Sequence, residues 1–259
     1  MSNILLFDIE TAPVIAYTWG LYNEVTSMKM VKSDWYCLCW GAKWLGDKKF
    51  MSAGLPDFKL YKKEPENDLE VMTALWQLVD KADILIAHNA IKFDIRKMNA
   101  RFLQHNLSPP SPYKVVDTLK ASRRFFKCTS NRLGDLGEFL GVGSKTPTGG
   151  FDLWKGCLAG DEKCWSHMVK YCLQDVRLLE KVYLKLRPYI SNHPNVNTEN
   201  TEDQACSKCG NQTFIKRGFA YTTAGKYQRY QCTKCLGWQK DSANLLKKEE
   251  RSARARNIS

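Results

Sequence analysis

The sequence predicts an α/β protein: a mixed sheet flanked by helices, followed by a small C-terminal cysteine module. Three observations carry this. Short apolar runs alternate with segments of helical period over residues 1–190. The strand-like runs cluster first and then interleave with helices, the pattern of a mixed sheet with helices packed on it. Beyond a polar stretch at 191–204, four of the ten cysteines gather in two CxxC pairs. The length of 259 residues suits one or two domains.

In chain order, residues 3–7 form a short apolar strand that ends in acids. Residues 35–45 are aromatic and partly alternating, a strand, with 48–53 as its hairpin partner and Gly46-Asp47 near the turn. Residues 68–81 place Leu69, Met72, Leu75, Trp76 and Val79 at helical spacing. Residues 84–87 read as a buried strand. Residues 93–105 return to helix, with Ile95, Met98 and Phe102 on one face. A short strand at 114–116 precedes helices around 118–127 and 131–140. The glycine-rich stretch 141–155 carries Lys145, Trp154 and Lys155. It reads either as a loop gripping a substrate strand, with stacking on Trp154, or as an ordinary connection with a core tryptophan. Residues 163–186 form the longest helix, closed by Pro188. The expected organisation is a domain over 1–190, a linker over 191–204, a cysteine module over 205–240 and a basic tail over 241–259. The tail holds Lys247, Lys248, Arg251, Arg254 and Arg256.

A composition of 44% hydrophobic and 25% charged residues excludes collagen-like, mucin-like and wholly disordered classes. No apolar run approaches the ~18 residues of a membrane span, so no membrane partner is expected. The first apolar run is stopped by Asp8 and Glu10, so no secretory leader is expected. Lys and Arg number 39 against 27 Asp and Glu, a net charge of +12, which favours a polyanion such as nucleic acid. Cys37, Cys39, Cys128, Cys157, Cys164 and Cys172 are scattered, a pattern of a reduced, cytoplasmic protein rather than a disulfide framework.

Four acids carry the chemistry. Asp8 and Glu10 are two apart on a strand and share a face. Like charges there repel, and a divalent cation with oxygen ligands removes the conflict; both acids also read simply as the surface end of a strand. Asp94 opens a helix after a turn holding Asn89, a place where acids also serve the helix dipole. Asp175 lies inside the long helix four residues after Tyr171, on the face of Met168, Leu178 and Val182. A carboxylate on such a face needs a metal or a partner, with Arg177 and Lys181 the nearest candidates. Two metal ions about 3.5–4 Å apart clamp the attacking and leaving oxygens of a phosphodiester, and these acids are ligands of the right type.

Phe7-Asp8-Ile9-Glu10-Thr11, then Asn89 with Phe93-Asp94, then Tyr171 with Asp175 resemble the three motifs of the DEDD 3′–5′ exonucleases, tyrosine subclass. That family has an RNase H-like fold and includes polymerase proofreading domains, RNase D, RNase T and oligoribonuclease. The chain as a whole resembles phage-encoded exonuclease proteins that end in a zinc ribbon. The resemblance implies two Mg²⁺ or Mn²⁺ ions, with Asp8 bridging them. Glu10 and Asp175 complete the nucleophile-side ion, and Asp94 holds the leaving-group-side ion. Tyr171 orients the attacking water, and Thr11 and Asn89 lie near the terminal nucleotide. Asp117 supports the site or caps a helix. His88 reads as a packing residue.

Cys206/Cys209 and Cys232/Cys235, with 22 residues between the pairs, predict a closed four-thiolate site for one structural Zn²⁺. Residues 204–240 hold seven Lys or Arg and no acid, interleaved with aromatics. Lys216, Arg217, Tyr227 and Arg229 are therefore candidate contacts to nucleic acid; a protein-docking ribbon is the other reading. The expected function is a two-metal 3′–5′ exonuclease acting on single-stranded nucleic acid, DNA ahead of RNA, in phage replication, repair or recombination. A replication protein is a candidate partner, and a bacterial host cytoplasm the expected compartment. The alternatives are an inactive nucleic-acid-binding or assembly module using the ribbon, and an RNase H-like endonuclease.

Overall fold

The computed structural model describes residues 2–22, 25–197, 204–223 and 225–252. Residues 198–203 of the expected linker and 253–259 of the expected tail, with Arg254 and Arg256, lie outside the described residues. The chain divides into two compact units, one of residues 3–183 and one of residues 184–259 with the first two residues.

The first unit is built on a mixed five-stranded sheet. Its strands are β1 (Ile4–Thr11), β4 (Cys37–Trp44), β5 (Met51–Gly54), β6 (Ile84–Ala87) and β7 (Lys114–Asp117), in the order β5-β4-β1-β6-β7. β1 runs antiparallel to β4 and parallel to β6. It is central, so its first four residues are buried on both faces and read as an unbroken apolar run. Helices α1 (Leu69–Val79), α2 (Asp94–Gln104) and α6 (Glu162–Leu186) contribute apolar faces: Met72 and Leu75, Met98 and Phe102, Met168 and Cys172. Shorter helices α3 (Thr118–Phe125), α4 (Leu133–Phe139) and α5 (Asp152–Leu158) connect them.

Three local expectations change. β1 does not stop at Phe7 but carries Asp8 and Glu10 within the sheet, because their backbones pair with Gly41 and Cys39 of β4. The glycine-rich stretch is a loop only as far as α5, which begins at Asp152. Trp154 in that helix donates its indole N–H to the carbonyl oxygen of Thr11 at 3.2 Å, so its polar end holds the tip of β1. A two-stranded ribbon, β2 (Ile15–Ala16) with β3 (Val31–Ser33), was not foreseen; strands of two and three residues leave no alternation to read.

Asp68 ties three elements together. Fully buried before α1, its carboxylate accepts from the amide of Cys37 on β4 at 2.7 Å, from the Arg101 guanidinium of α2 at 2.8 Å, and faces His105.

In the second unit, β8 (Phe214–Thr222), β9 (Gly225–Cys232) and β10 (Trp238–Lys240) form an antiparallel sheet in the order β10-β9-β8. A short helix, α7 (Lys248–Ser252), follows. The described part of the expected linker is packed. Val196 is buried and donates its amide to Ser207 at 2.8 Å, and Lys208 donates to the Pro188 carbonyl at 2.6 Å.

Removing Arg101 alone leaves a buried carboxylate short of a cation. Arg101→Met should therefore lower the stability of the first unit by about 3–5 kcal/mol in denaturant titration, with the acids of β1 and α6 untouched.

Candidate active site

Asp8 and Glu10 project from one face of β1, opposite Gly41 and Cys39. A side chain at Gly41 would place its Cβ 3.3 Å from the backbone and Sγ of Cys172. Glycine there lets α6 lie close against the sheet, and the Cys172 thiol approaches Asp8 at 3.4 Å from its carbonyl oxygen. Asp175, one turn further along α6, then meets the strand acids. Oxygen atoms of Asp8, Glu10 and Asp175 all lie within 4.8 Å of one another.

Asp94 is placed by a supported turn. Asn89 adopts φ 70, a left-handed conformation that asparagine tolerates. The Asp117 carboxylate accepts from the amides of Asn89 and Ile91, both at 3.1 Å, and also from Leu119 and Lys120 at the start of α3. Asp117 thus both supports the site and caps a helix. Asp94 begins α2, 1% exposed, near Asp8 but outside the three-carboxylate cluster. Neither of its carboxylate oxygens has a hydrogen-bond partner among the described residues, and the same holds for Oδ1 of Asp175. The Ile9 amide lies close enough to favour the charged form of Asp94, but not in hydrogen-bonding geometry.

Burial raises all four acids, and repulsion from neighbouring carboxylates adds to it at Asp8, Glu10 and Asp94. Asp8 is pushed up to about 7 by burial and by Asp175. Glu10 is pushed up to about 9 by burial, then Asp8 and Asp175. Asp94 stands well above its ordinary value through burial and Asp8. Burial raises Asp175, while Lys145 and the Tyr171 hydroxyl pull it back.

Lys145 is the residue that sequence reasoning left undecided. Asp175 pairs with it, not with Arg177 or Lys181; Arg177 bonds Gln174 instead. The Lys145 ammonium donates to Asp175 and to the Tyr171 hydroxyl, the latter at 3.0 Å. Burial opposes its charge, but Asp175 and Tyr171 together raise its pKa. The loop reaches this position because Gly137 of α4 has no side chain: a Cβ there would sit 2.5 Å from the Gly143 carbonyl oxygen. Burial pushes Tyr171 up to about 12, so it is a phenol at neutral pH. His88 is a packing residue. Its Nε2 faces the Asn131 carbonyl at 3.0 Å, which only accepts, and burial lowers it to about 4.

The donor set fits divalent cations. Hard carboxylate oxygens, buried or half-buried and crowded together, with three of them lacking a hydrogen bond among the described residues, suit Mg²⁺ or Mn²⁺. A cleft of about 770 Å³ opens beside Asp8, with Asn89, Arg123, Asn131, Arg132 and Lys145 in its walls. Thr11 is half-buried at the end of β1, its carbonyl held by Trp154.

In the second unit the four thiols of Cys206, Cys209, Cys232 and Cys235 lie within 4.8 Å of one another. Cys206 and Cys235 are 3.6 Å apart, and Cys209 and Cys232 3.7 Å. Sulfurs bound tetrahedrally at about 2.3 Å would be separated by about 3.8 Å, so the set fits Zn²⁺. The two knuckles repeat one geometry. Gly210 donates to Cys206 at 2.8 Å and Leu236 to Cys232 at 3.0 Å, each residue at positive φ. Cys232 is lowered to about 7: burial pushes it up, and amide donors from Cys235 and Lys234 with the Asn211 side chain outweigh that.

A mixed five-stranded sheet with acids on its central strand and on the helix laid across it defines an RNase H-like protein. The chain belongs to the RNase H superfamily, whose family model matches residues 46–187. The matched stretch contains Asp94, Tyr171 and Asp175; β1 with Asp8 and Glu10 lies before it. Among solved structures 114 chains match. One is the family B DNA polymerase from the hyperthermophilic archaeon Pyrobaculum calidifontis, with a TM-score of 0.53 and 18% identity over 73% of this chain. The match spans 25% of that polymerase, so what is shared is a fold. No curated protein matches the chain by sequence. Among the described residues, no helix is long and apolar enough to cross a membrane.

Two expectations follow. Without metal, the folded state holds protons on Asp8 and Glu10 that the unfolded chain releases, since their folded values of about 7 and about 9 lie above 3.8 and 4.5. Stability from these groups is full below the unfolded values and is lost as pH rises through the folded ones. Thermal melts should show metal-free wild type losing ground to Asp8→Asn/Glu10→Gln from about pH 4 to about pH 9, with Mn²⁺ reversing the loss. Cys209→Ser should abolish stoichiometric zinc and unfold the ribbon, while circular dichroism of the first unit stays intact.

Proposed function

We propose that this protein is a metal-dependent 3′–5′ exonuclease that hydrolyses phosphodiester bonds of single-stranded nucleic acid, DNA ahead of RNA. The observation that carries the reading is the convergence of Asp8, Glu10 and Asp175 within 4.8 Å. Tyr171 stands beside them, linked to Asp175 through Lys145. The 3′–5′ direction and a place in phage replication, repair or recombination rest on the motif resemblance to DEDD exonucleases.

Asp8, on the central strand between the other acids, is the ligand that two cations would share. Glu10 and Asp175 would hold the ion on the nucleophile side, and Asp94 the one on the leaving-group side. Divalent cations held there stabilise charge on the attacking and leaving oxygens. Tyr171 is a protonated phenol at neutral pH, so it orients the attacking water by hydrogen bonding and does not remove its proton. Lys145 offers its ammonium to a phosphate oxygen delivered to Asp8 and Asp175, from a loop that Gly137 allows to come close. Asn89, Arg123 and Arg132 in the cleft would receive the terminal nucleotides.

The test uses 5′-labelled single-stranded DNA and RNA with Mg²⁺ or Mn²⁺. The expected result is a ladder shortening from the 3′ end, abolished in Asp8→Ala and Asp175→Ala and without metal, and slowed about 10²-fold in Tyr171→Phe. Labelled strands that stay intact in every condition, or degradation that survives Asp8→Ala, would contradict the reading.

A further inference from the structure

The ribbon sheet has two unlike faces. Alternation along β9 and the pairings with its neighbours sort its side chains. Cys232 points to one side with its partner Phe214, and Phe214 packs on the cysteine cluster and against Tyr230. Lys216 pairs with Tyr230 and stands on that same side. The opposite side carries Tyr227, Arg229 and Gln231 from β9, with Trp238 and Lys240 from β10, since Trp238 pairs with Gln231 and Lys240 with Arg229. Arg217 of β8 joins them, bonding Gln231 at 3.2 Å. The sequence candidates therefore separate: Arg217, Tyr227 and Arg229 share a face, and Lys216 is on the other.

On this open face each aromatic ring has its own cation. The Lys240 ammonium lies 3.8 Å from the Tyr227 ring centre, and the Arg229 guanidinium 4.7 Å from that of Trp238. Arg229 is held in place. A bulge in β8 between Lys216 and Phe219, with Gly218 at φ 61, leaves the Arg217 carbonyl free to accept from the Arg229 Nε at 2.9 Å. A Cβ at Gly218 would add left-handed strain and stand 3.5 Å from that guanidinium. Trp238 is 43% exposed, and Arg229 and Lys240 are exposed. No acid occurs between residues 204 and 240.

We propose that this face, Arg217, Tyr227, Arg229, Trp238 and Lys240, is a binding platform for single-stranded nucleic acid. Each ring takes a base by stacking, and the cation beside it takes the phosphate. The rings stand four residues apart in register, about 14 Å, so they engage separate nucleotides. Stacking and phosphate contact read no base edge, so binding is tolerant of sequence and steeply salt-dependent. The inference does not rest on the nuclease reading and survives its failure.

The experiment uses the full-length, zinc-loaded chain carrying Asp8→Asn, so that no strand is cut. Anisotropy of fluorescein-labelled oligothymidylate and oligouridylate, each longer than a site of about 4–16 nucleotides, is read across salt concentrations. Tyr227→Ala/Trp238→Ala should weaken binding about ten-fold or more. Arg229→Gln, a milder change, should weaken it and lower the salt slope by about one. Lys216→Gln on the opposite face should change affinity by less than about two-fold. Zinc content measured on each variant establishes that the ribbon is folded. Affinity unchanged in both open-face variants, or lost equally in Lys216→Gln, would overturn the proposal; the first result would leave the face to a protein ligand.

Discussion

Like-charge repulsion among crowded, partly buried carboxylates governs this molecule. Asp8, Glu10 and Asp175 crowd within 4.8 Å, with Asp94 beside Asp8, and each is raised by burial before any other cause. A polypeptide holds such a cluster only if the scaffold around it is rigid and positive charge is at hand. The scaffold is the central strand β1, clamped between β4 and β6, and the long helix laid over it through the gap at Gly41. Lys145 supplies the charge to Asp175, and its partial exposure leaves it room to exchange that carboxylate for a phosphate. The buried oxygens of Asp94 without hydrogen bonds mark where protein alone does not satisfy the site.

The zinc-type site solves the opposite problem. There the buried groups are thiols, and the sheet around them has little apolar core: the cysteines pack with Phe214 and little else. A metal held there would stand in for the missing core, and the face of the sheet away from the cysteines is left to present side chains. The aromatic and cationic residues of β9 and β10 are therefore available for a ligand, where in a larger domain they would be needed for packing.

Much of this was legible in the sequence because the signals are periodic. Asp8 and Glu10 share a face by strand alternation, Tyr171 and Asp175 by helical spacing, and the CxxC pairs by their own geometry. Residues 84–87 were read at their observed bounds because a buried parallel strand is an unbroken apolar run. What stayed hidden depends on contacts between distant segments. Lys145 is thirty residues from Asp175, and the close approaches at Gly134 and Gly137 make room for it there. Trp154 reads from its pattern as suited to stacking and to packing alike; its bond to Thr11, 143 residues away, gives it a structural role that no local pattern shows. Asp68 with Arg101 and His105 joins three elements that no local pattern connects. In the ribbon, β10 is too short to show an alternation of its own, so only its register against β9 shows that Trp238 and Lys240 share a face with Tyr227 and Arg229.

The most direct test of the central claim is electron paramagnetic resonance of the Mn²⁺-titrated protein. If the carboxylate cluster is a two-cation site, Mn²⁺ should bind at two equivalents per chain with the spectrum of a spin-coupled pair. Asp8→Asn should remove the coupling while the ribbon keeps its zinc. Absence of specifically bound Mn²⁺, or binding that Asp8→Asn leaves unchanged, would contradict the account.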